Sequence, residues 1–256
     1  SGNISEENVP DQTIGHISSA GCLGQRAVVT AAHHNCFDAL MADVIKHVGK
    51  ESSRVFTTLD TEMTLSTLWD HEGLEAVCSK EDLWREACEV ERSIPLKETI
   101  ENEMDREEEY KRRFWARRPD GIVVDEKKET CYVLEFKRKM DRWMGYREEA
   151  TDKATNQYAS LMHGLQGASK WTVHLVIIVG GMCGSVHTET FNKNMELLGV
   201  IESKWNEVRR QHVFKLMEEQ DRVLRSFFAQ KKGEDTSGRP TGRGGGAEHL
   251  GRDVHT

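Results

Sequence analysis

The sequence predicts a layered α/β protein, and three observations carry that assignment. Two short β-branched and aromatic runs, GIVVD (121–125) and ETCYVLEF (129–136), are separated only by polar residues; a nearly continuous apolar run, WTVHLVIIVGG (171–181), follows further on; and apolar residues recur at helical spacing before, between and after them. The resulting order of helix, hairpin, helix, strand, helix is that of a mixed sheet flanked by helices.

Each element has its own local reason. Residues 1–24 are polar and glycine-containing and are expected to be disordered, as is the Gly-rich tail 232–256, because neither can bury enough apolar surface to order itself. The main domain is expected over 25–231. Within HHNCFDALMADVIKHVGK, residues Phe37, Leu40, Met41, Val44, Ile45 and Val48 fall on one helical face, with Asn35 as N-cap and Gly49 as stop. The stretch from about 60 to 110 is acidic and mainly helical, with a Ser79 cap on one helix and a Pro95 first turn on the next, and reads as a helical layer or insertion. GIVVD and ETCYVLEF form a hairpin. A helix over about 147–165 has the inner stripe Ala150, Ala154, Gln157 or Tyr158, Leu161, Met162 and Leu165. The apolar run 171–181 suits a strand covered on both faces of its sheet. Helices over about 190–198 and 202–230 close the domain.

Composition narrows the setting. A chain of 256 residues with a formal charge of −8 can bury a sizeable core, and its longest aliphatic run, Leu175 to Val179, is too short to span a bilayer. The six scattered cysteines include no CxxC pair, which favours reduced thiols and an intracellular setting, with a nuclear location left open.

The chemistry sits in the hairpin. Residues two apart in a strand share a face, so Glu135 and Lys137 project together while Phe136 points into apolar packing. Asp120 stands at the mouth of the preceding strand, where antiparallel pairing brings it beside Glu135. Asp120, Glu135 and the backbone carbonyl of Phe136 would supply hard oxygen ligands for Mg²⁺ or Mn²⁺, and the Lys137 ammonium could orient a nucleophile or stabilise developing negative charge. That combination suits phosphodiester hydrolysis. Pro119 and Gly121 frame the aspartate. Over 111–147 there are 12 Lys and Arg against 6 Asp and Glu, interleaved with Phe114, Trp115, Trp143 and Tyr146, a composition suited to a nucleic-acid backbone. Arg113, Arg117, Arg118, Arg138, Lys139, Arg142, Trp143 and Arg147 are the candidate contacts. Lys153 and Gln157 share one face of the following helix and would assist phosphate or water positioning.

The motif order PDG, short hairpin, EFK resembles the PD-(D/E)XK nuclease superfamily, with Asp120, Glu135 and Lys137 matching its metal ligands and catalytic lysine. RAVVTAAHHNCFDALMADVI, EEATDKATNQYASL and VHLVIIVGGMCGS with NMELLGV are similar to segments of the restriction-like endonuclease domains of eukaryotic retrotransposons. The resemblance covers roughly residues 26–200. It implies a restriction-endonuclease-like mixed sheet, Mg or Mn as cofactor, and DNA nicking for a mobile element, and it hints that His34 beside Asn35 lies near the site. The acidic stretch from 60 to 110 is larger than the family's usual spacing.

Other readings stay open or fall away. A non-catalytic nucleic-acid-binding or protein-interaction module on the same fold, or an RNA nuclease, would share these residues. Glu98, Glu101, Glu108 and Glu109 are eligible as a further carboxylate. Cys22, His33, His34 and Cys36 match no zinc-finger spacing, and VGGMCGS lacks the phosphate-loop pattern. Leu216, Val223, Leu224, Phe227 and Phe228 give the final helix an amphipathic pattern compatible with internal packing or with a homodimer.

Overall fold

The computed structural model describes residues 25–49, 54–58, 63–70, 74–96, 100, 102–141 and 144–237. The two terminal segments expected to be disordered lie outside the described residues, apart from the first part of the tail, where the last helix runs on to Ser237. Among the described residues no helix is long and apolar enough to cross a membrane.

The chain forms α1 (Arg26–His47), β1 (Arg54–Thr58), α2 (Leu65–Trp69), α3 (Lys80–Ser93), α4 (Glu103–Trp115), β2 (Gly121–Asp125), β3 (Thr130–Lys139), α5 (Tyr146–Ala168), β4 (Thr172–Gly181), α6 (Thr188–Leu197) and α7 (Trp205–Ser237). The sheet order is β1-β2-β3-β4, with β1, β2 and β3 antiparallel and β4 parallel to β3. It is therefore an α/β structure with a mixed sheet flanked by helices, as the element order predicts.

Alternation along the strands divides the interior in two. One face, carrying Val123, Tyr132, Leu134, Phe136, Val176 and Ile178, packs against α1, α6 and α7. The other, carrying Ile122, Val124, Cys131, Val133 and Val173, packs against α2 to α5. The acidic region from 60 to 110 thus supplies α2, α3 and most of α4 to one cover of the sheet, which α5 completes. Its Leu65, Leu68, Trp69, Leu74, Leu83 and Ala87 are fully buried, and among its described residues the charges face outward or lie partly exposed, with Glu91 the buried exception.

Several local expectations shift. α1 starts at Arg26, because the Ala-rich RAVVTAA favours helix, so Asn35 lies mid-helix and donates its side-chain amide to Glu219 (3.2 Å) instead of capping. Ser79 caps α3 as expected, accepting the Asp82 N–H. α4 begins under Asn102, so Pro95 follows the end of α3 and opens no helix. Strand β1 was not legible: RVFTT is too short to show a period. In the β2–β3 turn, the Asp125 carboxylate accepts the Lys128 N–H and Glu129 adopts a left-handed φ of 46°. β4 packs against helices on both faces and closes one side of the sheet.

Behind the hairpin, His212 of α7 is enclosed by Phe136 (centroids 5.5 Å) and Phe191 (5.9 Å), and neither ring nitrogen has a protein hydrogen-bond partner. A Cβ on Gly180 would come within 2.8 Å of the Leu216 Cδ1 and 3.3 Å of the His212 Nε2, so a larger residue there would push these side chains aside. Burial pushes the imidazole down to about 4 from an ordinary 6.5. A base with a lowered native pKa is protonated first in the unfolded chain. Its contribution is therefore complete above pH 6.5 and is lost as pH falls towards about 4, a difference of about 3 kcal/mol. His212→Phe should flatten this part of the stability profile. Denaturant unfolding on both sides of that window measures it, and an unchanged acid slope counts against the account.

Candidate active site

The site exists because β3 outlasts β2. Pairing between the two ends at Gly121 opposite Leu134, whereas β3 stays paired with β4 as far as Lys139 opposite Gly181. Beyond Leu134 the β2 side of β3 forms a notch. Asp120 enters it. Its N–H donates to the Leu134 carbonyl (3.1 Å) and its Oδ2 accepts the Phe136 N–H (2.7 Å), supplying the partner that β2 no longer offers. The N–H and C=O of one strand residue leave the strand on the same side, so the Phe136 carbonyl is also directed into the notch. The opposite direction of the Lys139 carbonyl, which accepts from Met182 N just past the end of β4, fits this alternation.

Alternation places Glu135 and Lys137 on the face covered by α5. The Lys137 ammonium contacts Glu135 Oε1, and the buried Tyr158 hydroxyl lies 2.6 Å from Glu135 Oε2 and 3.0 Å from the Arg118 carbonyl. From the opposite layer, His33 of α1 approaches Asp120 Oδ1 through Nε2 (3.3 Å) and packs its ring on Phe136 (5.1 Å). Asp120 and Glu135 are both nearly buried, at 6% and 4% exposure. Burial, followed by the Asp120 charge, pushes the Glu135 carboxyl above its ordinary range against the opposing pull of Lys137 and Tyr158. Burial and the same carboxylate push the Tyr158 phenol up. Tyr158 is thus a neutral hydrogen-bond donor.

Two adjacent carboxylates and a carbonyl facing one notch are hard oxygen donors of the kind that Mg²⁺ or Mn²⁺ takes. Among the described residues no group of three or more His, Cys, Asp or Glu side chains forms a metal site. Asp120, Glu135 and the Phe136 carbonyl could supply only part of a shell, which water or substrate oxygens would have to complete.

The other expected residues divide. Lys153 is exposed and contacts Glu149, and the exposed Gln157 offers its main-chain carbonyl to Arg117 (2.9 Å); Tyr158, one position on, takes the inward place. Arg113 and Arg117 turn inward to the fully buried Glu91 (2.6 and 2.5 Å), and Arg138 is buried against Gln220 (2.7 Å), so these three are internal ties and not surface contacts. Arg118 is exposed, Lys139 and Arg147 are half-buried, and Arg142 and Trp143 lie outside the described residues. Phe114 is core, and the Tyr146 hydroxyl meets Ser185 (2.5 Å). Of the eligible upstream carboxylates, Glu98 and Glu101 lie outside the described residues, Glu108 is exposed, and Glu109 pairs with Arg112. Cys22 lies outside the described residues. Cys36 is buried with its thiol pushed up to about 11, mainly by burial. In VGGMCGS the Asp141 carboxylate accepts the Cys183 N–H (3.1 Å), so an acid already occupies the loop that a phosphate would need.

Two residues escape a reading of local pattern. His33, not His34, reaches the hairpin; it stands four residues before Phe37 on the inner face, a place that becomes visible only once α1 is extended to Arg26. Glu91 follows Leu83 and Ala87 at four-residue steps, and a carboxylate in an apolar stripe is the available signal. Burial pushes Glu91 up, but hydrogen bonds from Ser160 (2.6 Å), Arg117 and Arg113 more than offset it and hold the carboxyl below its usual range.

No protein-family model, curated protein or solved structure matches the chain.

Two substitutions separate scaffold from site. Glu91→Gln leaves two arginines without their counter-charge and should cost about 3–5 kcal/mol in denaturant unfolding. Tyr158→Phe removes one buried hydroxyl beside a carboxylate and should cost about 1–3 kcal/mol. A Glu91→Gln protein as stable as the parent would remove the carboxylate as the tie between α3, α4 and α5.

Proposed function

We infer that the chain is a metal-dependent DNA endonuclease of restriction-endonuclease-like fold. The observation that carries this reading is the meeting of Asp120, Glu135, Lys137 and the Phe136 carbonyl in one notch at the end of β3. Asp120, Glu135 and the Phe136 carbonyl are the residues that would hold Mg or Mn. Such an ion, when bound, polarises a phosphoryl oxygen and lowers the pKa of its water. Lys137 stands where an ammonium can orient the attacking water and offset charge growing on the phosphorus oxygens. His33 fixes the outer oxygen of Asp120, and Tyr158 fixes that of Glu135. Both carboxylates are thereby held before substrate arrives, which is how a site is preorganised. Nicking on behalf of a mobile element is the setting that the motif order suggests.

Supercoiled plasmid incubated with the protein and Mg²⁺, Mn²⁺ or chelator tests the assignment. Nicking should require the ion, and Asp120→Ala and Lys137→Ala, shown to be folded, should each lower its rate about 10²-fold or more. Equal nicking by the variants would overturn the site. Metal-independent binding with no cleavage of DNA, but cleavage of a matched RNA, would reassign the substrate.

A further inference from the structure

Along the outer edge of β4, between α5 and α6, lies a cavity of about 330 Å³. Val179 on its wall is the register partner of Lys137; the notch lies on the β2 side of β3 and the cavity beyond β4, so the β3–β4 pair separates them, roughly 14 Å at about 4.8 Å per strand step. Its apolar lining comes from Ile178, Val179 and Phe191, and its polar lining includes Arg147, Asp152 and Asn194. The Asn194 side-chain amide donates to the Ile177 carbonyl (2.8 Å), which fixes the group and leaves its oxygen as an acceptor. The Ile177 carbonyl and the Gly181 N–H, which donates to Ser185 (2.8 Å), both point away from β3. Val179 lies between them in the alternation, so its N–H points outward as well.

We propose that this cavity receives a single unpaired nucleobase of the strand whose phosphate occupies the Asp120–Glu135 notch. The proposal rests on the nuclease reading of that notch. A flat heterocycle suits an apolar lining with fixed acceptors and a backbone donor at its rim, and the volume stands at the lower end of the range for small-ligand sites. The base must leave its stack before it enters, so single-stranded or locally unpaired DNA is the preferred substrate. Arg147 supplies a cation for the backbone of the same nucleotide.

Thr151 lines the cavity from an exposed position on α5, so Thr151→Phe fills it without disturbing the core, and Thr151→Ser is the control that leaves it open. Binding is measured in Ca²⁺, a hard divalent cation that takes oxygen ligands, with single-stranded DNA carrying 2-aminopurine at successive positions, beside blunt duplex of the same sequence, for the full chain, both Thr151 variants and Asp120→Ala. The expected result is a fluorescence rise at one position in the full chain, Thr151→Ser and Asp120→Ala. Thr151→Phe should lose it, with affinity for single strands about 10-fold weaker and duplex affinity unchanged. No position-specific rise, or a rise and affinity that Thr151→Phe leaves intact, overturns the pocket. The nuclease reading is judged apart from this, by metal-dependent cleavage and its loss in Asp120→Ala. A rise without any cleavage would retain the pocket and remove the nuclease.

Discussion

Strand β3 is longer than the partner that folds onto it, and the consequences of that mismatch run through the molecule. Past Leu134 its main chain has one neighbour, β4, so the Phe136 N–H on the open side needs an acceptor. Asp120 provides one from the residue just before β2. The aspartate is therefore placed by the same requirement that stabilises the sheet, and it cannot swing away without leaving a buried donor unpaired. Glu135 is held beside it on the adjacent residue of the strand. The carboxylate pair is a product of sheet register, with Asp120 at the end of the α4–β2 connection held by its bonds to β3.

Each cover of the sheet then fixes one carboxylate. From α1 comes His33, resting on Phe136 and reaching Asp120. From α5 comes Tyr158, reaching Glu135. The position of α5 depends in turn on Glu91, which gathers Arg113 from α4, Arg117 from the segment leading to β2, and Ser160 from α5 around one buried charge on α3. A charge so placed is costly unless it is fully paired, and here three donors meet it. The acidic helical region thus carries the node that aligns α5 with the strand bearing Glu135.

Much of this was readable in the sequence, and the exceptions have physical reasons. The hairpin, the α5 stripe and the pairing of Asp120 with Glu135 follow from periods of about 2.0 and 3.6 residues that are strong over their lengths. Lys153 and Gln157 were set at the edge of the apolar stripe, where one position, about 100° of helix, decides between solvent and site; Tyr158 took the inward place. The basic residues misled for another reason. A count of charges gives no partners, and Arg113, Arg117 and Arg138 are used internally. β1 and the role of His33 depend on tertiary contacts that no local pattern encodes.

That internal use of arginine changes the electrostatics of the notch. Lys137 is the cation in contact with Glu135, with Arg118, Lys139 and Arg147 nearby in sequence and at least partly accessible. The other basic pair of the hairpin, Lys127 and Lys128, sits at the turn, the opposite end of β2 and β3 from Asp120. Two carboxylates face one ammonium in the notch, and burial and the nearby Asp120 push the Glu135 carboxyl above its ordinary range. On the nuclease reading, Asp120 and Glu135 would hold a divalent cation, whose charge would favour the ionised form of Glu135 and offset the carboxylates that a phosphate would otherwise meet. Affinity for a phosphodiester at this point would then depend on the ion, because the one ammonium of Lys137 does not balance two carboxylates.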